Sequence, residues 1–88
     1  MTKYMVIENY REGCFYKIYE RFHKNGRMLP EGLYFNESWL EKSGDRCFQL
    51  METDNPETFK AWIKNWEDLV VFEIIELGEK PSTENSPM

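Results

Sequence analysis

Residues 46–77 read RCFQLMETDNPETFKAWIKNWEDLVVFEIIEL, and they contain a predicted strand, a helix and a second strand in that order. Apolar side chains recur at i, i+3, i+4 and i+7 from Phe59 to Trp66, which is the spacing of one face of an α-helix. The β-branched and aromatic run from Val70 to Leu77 predicts the strand that follows. This part of the chain is therefore a strand–helix–strand unit.

The first half of the chain has the same order of patterns. A strand is predicted over Tyr4–Asn9, and the apolar stripe of a helix follows between Phe15 and Phe22. Asn25 and Gly26 tolerate a left-handed backbone, which is how many helices end. The first half is thus a strand followed by a helix.

The segments Leu33–Lys42 and Arg46–Thr53 are joined by a tight Ser43-Gly44 turn, which predicts a β-hairpin. The complete order is strand, helix, strand, strand, helix, strand. It predicts a ferredoxin-like α+β domain over residues 1–77, with a four-stranded antiparallel sheet and two helices on one face. Residues 78–88 are rich in Gly, Pro, Ser, Thr, Glu and Asn, and they predict a disordered C-terminal tail.

Composition excludes several classes of function. The chain has 88 residues and a net charge of -5, which disfavours nucleic acid because phosphate binding depends on clustered Lys and Arg. No apolar run approaches the roughly 18 residues of a membrane span, and no signal peptide is visible, so we expect a soluble cytoplasmic protein. Cys14 and Cys47 lie far apart in sequence without a second Cys beside either, which predicts free thiols.

The strands carry apolar residues on both of their faces, although two helices can cover only one face of the sheet. The chain also contains six Phe, five Tyr and three Trp, a large aromatic content for a small domain. We therefore expect a second copy of the chain to cover the other face. A homodimer is the predicted partner.

Alternation along the strands divides their residues into two sets. The wholly apolar set is predicted to face the helices and comprises Met5, Ile7, Phe48, Leu50, Val70, Phe72 and Ile74. The mixed set contains Glu8, Gln49 and Glu73 among apolar neighbours and is predicted to face away from the helices. That face is either a dimer contact with a polar rim or the wall of a cavity between two facing sheets.

Few residues have the chemistry of a functional site. Glu8, Glu73 and His23 are the candidate proton carriers, because burial raises the pKa of a carboxyl and His titrates near neutral pH. Structural roles compete with each assignment: a solvated rim for the carboxylates and a helix-capping position for the histidine. One His with scattered carboxylates does not make a metal site, so neither a metal nor a cofactor is expected.

The candidate ligand-binding residues are Gln49, Arg27, Arg46 and Trp39. A guanidinium can hold a carboxylate in bidentate fashion, and both arginines border loops. An ion pair with a nearby acidic residue is the competing interpretation for each. Trp39 could stand at the mouth of a pocket, whereas Trp62 and Trp66 lie on a helical stripe and are expected in the core.

Five short segments have a specific pattern: Arg21 to His23, Gly26 to Pro30, Gly32-Leu33, Ser38-Trp39 and Asp45 to Thr53. They resemble a family of short bacterial proteins of unknown function, within or close to the dimeric α+β barrel superfamily. The similarity runs from Lys3 to about Leu77. The resemblance implies a barrel made from two ferredoxin-like sheets, and it implies no particular reaction.

The superfamily that the resemblance implies includes cofactor-free monooxygenases, haem-degrading enzymes, isomerases and stress-response proteins. Its haem-degrading members use an Asn, a Trp and a haem-ligating His. Asn9 and Trp39 are present here, but the only His lies on the first helix, which argues against haem.

Three hypotheses follow from the sequence. The first is a small dimeric protein that binds an apolar or aromatic small molecule between the sheets. The second is a cofactor-independent monooxygenase or isomerase of the dimeric α+β barrel type. The third is a purely structural homodimer.

Overall fold

The computed structural model describes residues 1–80. Its elements are β1 (Thr2–Tyr10), α1 (Phe15–Asn25), β2 (Tyr34–Leu40), β3 (Arg46–Thr53), α2 (Thr58–Lys64) and β4 (Val70–Glu76). All neighbouring strands are antiparallel, and the sheet order is β2-β3-β1-β4. The predicted α+β fold is confirmed. Of the tail predicted over residues 78–88, residues 81–88 lie outside the described part of the chain.

Both helices pack on one face of the sheet. Phe59 and Trp62 of α2 make edge contacts with Tyr4 of β1 and Phe72 of β4, at ring-centre distances of 5.0 and 5.2 Å. Phe15 at the start of α1 lies 6.2 Å from the ring of Tyr10. The buried apolar residues form one cluster between these layers, in which Val6, Met51, Trp62 and Val70 are almost fully enclosed.

The prediction of which strand face meets the helices is wrong for β1 and β3 and correct for β4. Tyr4, Val6 and Glu8 of β1 are buried under the helices, and so are Gln49 and Met51 of β3. Their register partners on β4, such as Phe72 opposite Glu8, share that face. Apolarity could not separate the two faces, because both faces of β1 and β3 are rich in apolar side chains.

The opposite face of the sheet has no covering layer among residues 1–80. We call it the open face, and its apolar members are Met5, Ile7, Trp39, Phe48, Leu50, Val71 and Ile75. Trp39, Val71 and Ile75 are each about half exposed, at 49, 47 and 47%. An apolar patch of this kind is typical of an association surface.

The second helix is shorter than its sequence pattern suggests. It begins at Thr58, and Asp54 and Asn55 precede it in a turn where the Asn55 side chain accepts a hydrogen bond from the Glu57 N–H at 3.1 Å. Trp66 lies just beyond the helix and is nevertheless buried, with 4% of its surface exposed.

A bidentate ion pair from Arg21 to Asp68, with both N···O distances 2.8 Å, joins α1 to the segment after α2.

None of the helices in the described part of the chain has the length and apolar character needed to traverse a bilayer.

Candidate functional site

A pocket of about 200 Å³ lies between α1 and the β1–β3 part of the sheet. Its apolar and aromatic walls are formed by Ile18, Tyr19, Phe22, Trp62 and Trp66, and its polar groups are Glu8, Tyr10, Arg27, Ser38, Cys47 and Gln49. Ser38 and Tyr19 are the exposed members, whereas Glu8 and Gln49 are buried. The pocket therefore opens between α1 and β2, and its polar floor lies on the sheet.

The segment that carries Arg27 is fixed to the second helix by its backbone. The indole N–H groups of Trp62 and Trp66 both donate to the Arg27 carbonyl oxygen, each at 3.0 Å. The Asn65 side-chain amide donates to the carbonyl of Met28 at 3.2 Å. Met28 has a φ of 58°, an unfavourable backbone region for a residue with a side chain, so these bonds hold a strained turn in place.

The guanidinium of Arg27 lies over aromatic rings at the pocket wall. Its Cζ atom is 3.5 Å from the ring centre of Phe35 and 5.0 Å from that of Phe22. Its Nε donates to the Gln49 side-chain oxygen at 3.3 Å, and no carboxylate forms a salt bridge with it among residues 1–80. Burial lowers the pKa of Arg27, and the nearby Glu8 and Cys47 oppose that shift.

Glu8 is a buried carboxyl at the floor of the pocket. Its side chain is 8% exposed, and Cys47 lies directly opposite on β3. Burial raises the pKa of Glu8 to about 7, while Gln49, Arg27 and Cys47 act in the opposite direction. Glu8 is therefore close to half protonated near neutral pH, as suits a group that gives or takes a proton.

Two further titratable groups, Tyr10 and Cys47, surround this carboxyl. Burial raises the pKa of the Tyr10 hydroxyl and that of the Cys47 thiol, and the charge of Glu8 adds to both shifts. Both groups are therefore neutral near pH 7 and available as hydrogen-bond donors. Arg27 and ionised Glu8 are the two charges of the pocket.

The structure brings together three of the residues that the sequence suggested and separates four. Glu8, Gln49 and Arg27 share the pocket. Glu73 is exposed on the open face, where its carboxylate accepts a hydrogen bond from the Asn9 amide at 3.0 Å. His23 is exposed near the end of α1, beside the ring of Phe22.

Arg46 and Trp39 also lie away from the pocket. Arg46 is paired with the Glu41 carboxylate at 2.7 Å and sits over the ring of Phe48. It forms an ion pair, but Glu41 was not among the acidic residues that the sequence suggested as its partner, namely Glu31, Asp45 and Glu52. Trp39 pairs with Phe48 across β2 and β3 on the open face. These two residues belong to the rim and surface of the open face.

Sequence reasoning missed the pocket contributions of Tyr10, Tyr19, Ser38 and Cys47, and it assigned Trp62 and Trp66 to the core alone. The two tryptophans are core residues, but their indole N–H groups also fix the Arg27 segment. A signal was present in the sequence. Glu8 and Gln49 share their strand faces with the apolar residues Val6 and Met51, so each is a polar residue within an otherwise apolar face.

Comparison with protein families identifies the chain. Residues 2–76 match the model of a family described as Domain of unknown function (DUF3303). The chain belongs to this family. The match covers every helix and strand described above and all the residues that line the pocket. No curated protein matches the chain.

Within residues 1–80, no three His, Cys, Asp or Glu side chains are grouped so that they could hold a metal ion.

Proposed function

We propose that this DUF3303 protein binds a small apolar or aromatic molecule in the pocket between the sheet and α1. The observation that carries the proposal is the buried pair of Glu8 and Gln49 beneath aromatic walls. A pocket that combines aromatic walls with a small set of convergent polar groups is a usual form of a small-molecule site. This places the ligand beneath the helices of one chain rather than between two facing sheets.

The volume of the pocket limits the ligand to about one ring. An apolar cavity of about 150 Å³ accepts benzene in another protein. The pocket here is about 200 Å³ and opens to solvent between α1 and β2. A single substituted aromatic ring, or an aliphatic molecule of similar size, fits this space.

A large side chain at the mouth of the pocket should block the binding of small ligands that the wild-type protein binds. Ser38 and Glu37 are adjacent exposed residues of β2 whose side chains point to opposite faces. We expect Ser38→Phe to abolish binding of one-ring probes, namely benzyl alcohol, benzamide and benzoate, and Glu37→Phe to leave it unchanged. Isothermal titration calorimetry measures both variants. Failure of every probe to bind the wild type, or unchanged binding by Ser38→Phe, would contradict the proposal.

We also propose that two copies of the chain associate through their open faces. This surface combines unpartnered apolar side chains at its centre with charges of both signs around it, including Lys3, Arg46, Glu52 and Glu73. A two-fold contact places the same patch of both copies together, so apolar residues meet apolar residues. The dimer would hide the apolar surface that one chain leaves open.

A charge on the open face should separate the copies. Ile75 is 47% exposed, so Ile75→Glu leaves the core intact and buries a carboxylate only in a dimer. We expect a loss of about 2–5 kcal/mol of association free energy, because an unpaired charge is then desolvated. Tyr16→Glu, at an 83% exposed position on α1, is the matched control. Sedimentation velocity that shows a wild-type monomer, or an unchanged dimer in Ile75→Glu, would refute the dimer.

A cofactor-independent isomerase or monooxygenase is the second candidate function. The observation that favours it is a carboxyl with a pKa near 7 in a pocket that also contains a cation. Such a carboxyl could take a proton from an activated ring or lactone and return it. For an enzyme, Glu8→Gln would remove turnover while retaining binding; for a binding protein, no turnover would be found.

A structural homodimer without a ligand is the remaining alternative, and it requires that no probe binds.

A further inference from the structure

We infer that the ligand of this pocket is a monoanion, such as a small aromatic carboxylate, and that Glu8 takes up a proton when it binds. The inference rests on the proposed function, because it specifies the chemistry of the molecule that the pocket holds. It follows from the placement of two groups in one small pocket: a cation that forms no salt bridge within residues 1–80, and a buried carboxyl.

The cation is Arg27, and its position is set by the backbone rather than by an ion pair. Its side chain makes one hydrogen bond within the described residues, from Nε to Gln49, and its guanidinium is flanked by the rings of Phe22 and Phe35. The terminal nitrogens have no protein acceptor among residues 1–80. A carboxylate is the acceptor that matches a guanidinium best, since it can receive two parallel N–H bonds.

The proton follows from the charges that surround Glu8. Tyr10 faces it from its own strand, Cys47 from β3, Tyr19 from α1 and Arg27 from the segment after α1. On β4 the facing residue is Phe72, and on α2 it is Trp62, neither of which titrates. Arg27 is thus the cation available to balance a negative charge on Glu8.

An anion that pairs with Arg27 removes this balance. The pocket would then contain an anionic ligand, one cation and an ionised carboxyl, an excess of one negative charge in a partly desolvated space. Uptake of one solvent proton by Glu8 restores neutrality, and it gives the ligand a carboxylic acid O–H as a donor. A neutral ligand leaves the pair of Glu8 and Arg27 intact and requires no proton.

The test compares benzoate with benzamide, which has the same shape and no charge. Calorimetric titrations at about pH 8 in buffers with different ionisation enthalpies measure the number of protons taken up. We expect close to one proton for benzoate and none for benzamide. The affinity for benzoate should fall about tenfold for each pH unit above the pKa of Glu8, whereas that for benzamide should change little.

Three variants assign the effects to their residues. Glu8→Gln should abolish the proton uptake and make benzoate binding independent of pH. Arg27→Met should weaken the binding of benzoate at least tenfold more than the binding of benzamide, while Arg27→Lys should restore part of the affinity for benzoate. The carbonyl that anchors this segment belongs to the backbone, so these changes leave the turn in place. Arg46→Met, on the open face, is the control and should leave the affinities for benzoate and benzamide unchanged.

The outcomes separate this inference from the proposed function. The inference would be overturned if benzamide bound as tightly as benzoate, or if benzoate bound without proton uptake. Either result would still support the proposed ligand site. Proton uptake that persists in Glu8→Gln would also overturn the inference. If neither molecule binds the wild-type protein, both the inference and the proposed function fail.

Discussion

Replacement of Trp62 by alanine is expected to lower the free energy of unfolding by about 3–5 kcal/mol, the range for truncating a large buried aromatic side chain. Trp62 is 1% exposed and packs between Phe59 and Phe72, so its loss leaves a cavity at the centre of the helix–sheet interface. It also removes one of the two indole donors to the Arg27 carbonyl. Urea denaturation followed by far-ultraviolet circular dichroism measures the loss.

Two control variants show whether the loss of stability comes from lost packing, from the lost indole hydrogen bond or from the removal of any tryptophan. Trp62→Phe retains most of the packing and loses the indole donor, and Trp66 still donates to the same carbonyl. We therefore expect a loss of about 1–2 kcal/mol for this variant. Trp39→Ala, at a half-exposed position on the open face, is compared at one fixed protein concentration and should cost less than Trp62→Ala. A loss below about 1 kcal/mol for Trp62→Ala would show that this side chain is not central to the core.

Glu8→Gln is expected to stabilise the protein above neutral pH and to have little effect in mild acid. Burial raises the pKa of Glu8 from its ordinary value of 4.5 to about 7, so the folded state holds a proton that the unfolded state releases. Stability conferred by that proton is complete below pH 4.5 and is lost as the pH rises toward 7. A shift of this size corresponds to about 3 kcal/mol at most. The uncharged amide of the variant does not suffer this loss.

The measurement is the difference in unfolding free energy between variant and wild type at about pH 5 and pH 8. Because every other titrating group is common to both proteins, the pH dependence of that difference reports on Glu8. Glu73→Gln, which makes the same change at an exposed carboxylate, is the matched control and should lack the stabilisation at pH 8 that is expected of Glu8→Gln. Equal stability of wild type and Glu8→Gln at pH 8 would mean that Glu8 is solvated in the folded protein.

The fold was predictable from local patterns because each element has a strong one. The stripe from Phe59 to Trp66 and the β-branched run after it specify α2 and β4, and the observed β3 has the predicted bounds of Arg46 and Thr53. The order of six elements then leaves few topologies for a chain of this length. The start of α2 was not fixed by this stripe, because the side chains of Thr53 and Asn55 accept backbone N–H bonds in a turn before the helix begins.

The site was only half predictable. Glu8, Gln49 and Arg27 were selected for their chemistry, and they do meet, but Glu8 and Gln49 were predicted to share the face of Glu73 and instead lie on the opposite face of the sheet. The physical reason is that Met5, Ile7, Phe48 and Leu50 are as apolar as a core and yet lie on the open face. Periodicity divides a strand into two sets, but it cannot say which set a helix covers when both are apolar.

The hydrogen bonds that fix the backbone of the Arg27 segment could not be predicted from the sequence. The turn at Arg27 and Met28 is set by donors in α2 and directly after it, namely Trp62, Asn65 and Trp66, which are more than 30 positions away. No short-range pattern predicts such bonds, since they depend on how α2 lies across the sheet. The sequence selected Arg27 as a candidate ligand-binding residue beside a loop, whereas the cause of that loop's geometry required the structure.

The placement of the pocket is tested most directly by the three indole N–H signals in a ¹H–¹⁵N spectrum during titration with a one-ring probe. Trp62 and Trp66 line the pocket and bond to the Arg27 carbonyl, while Trp39 lies on the open face. We predict that the signals of Trp62 and Trp66 shift together and saturate, and that the signal of Trp39 does not move. Shifts confined to Trp39 would place the ligand on the open face and contradict the proposed site.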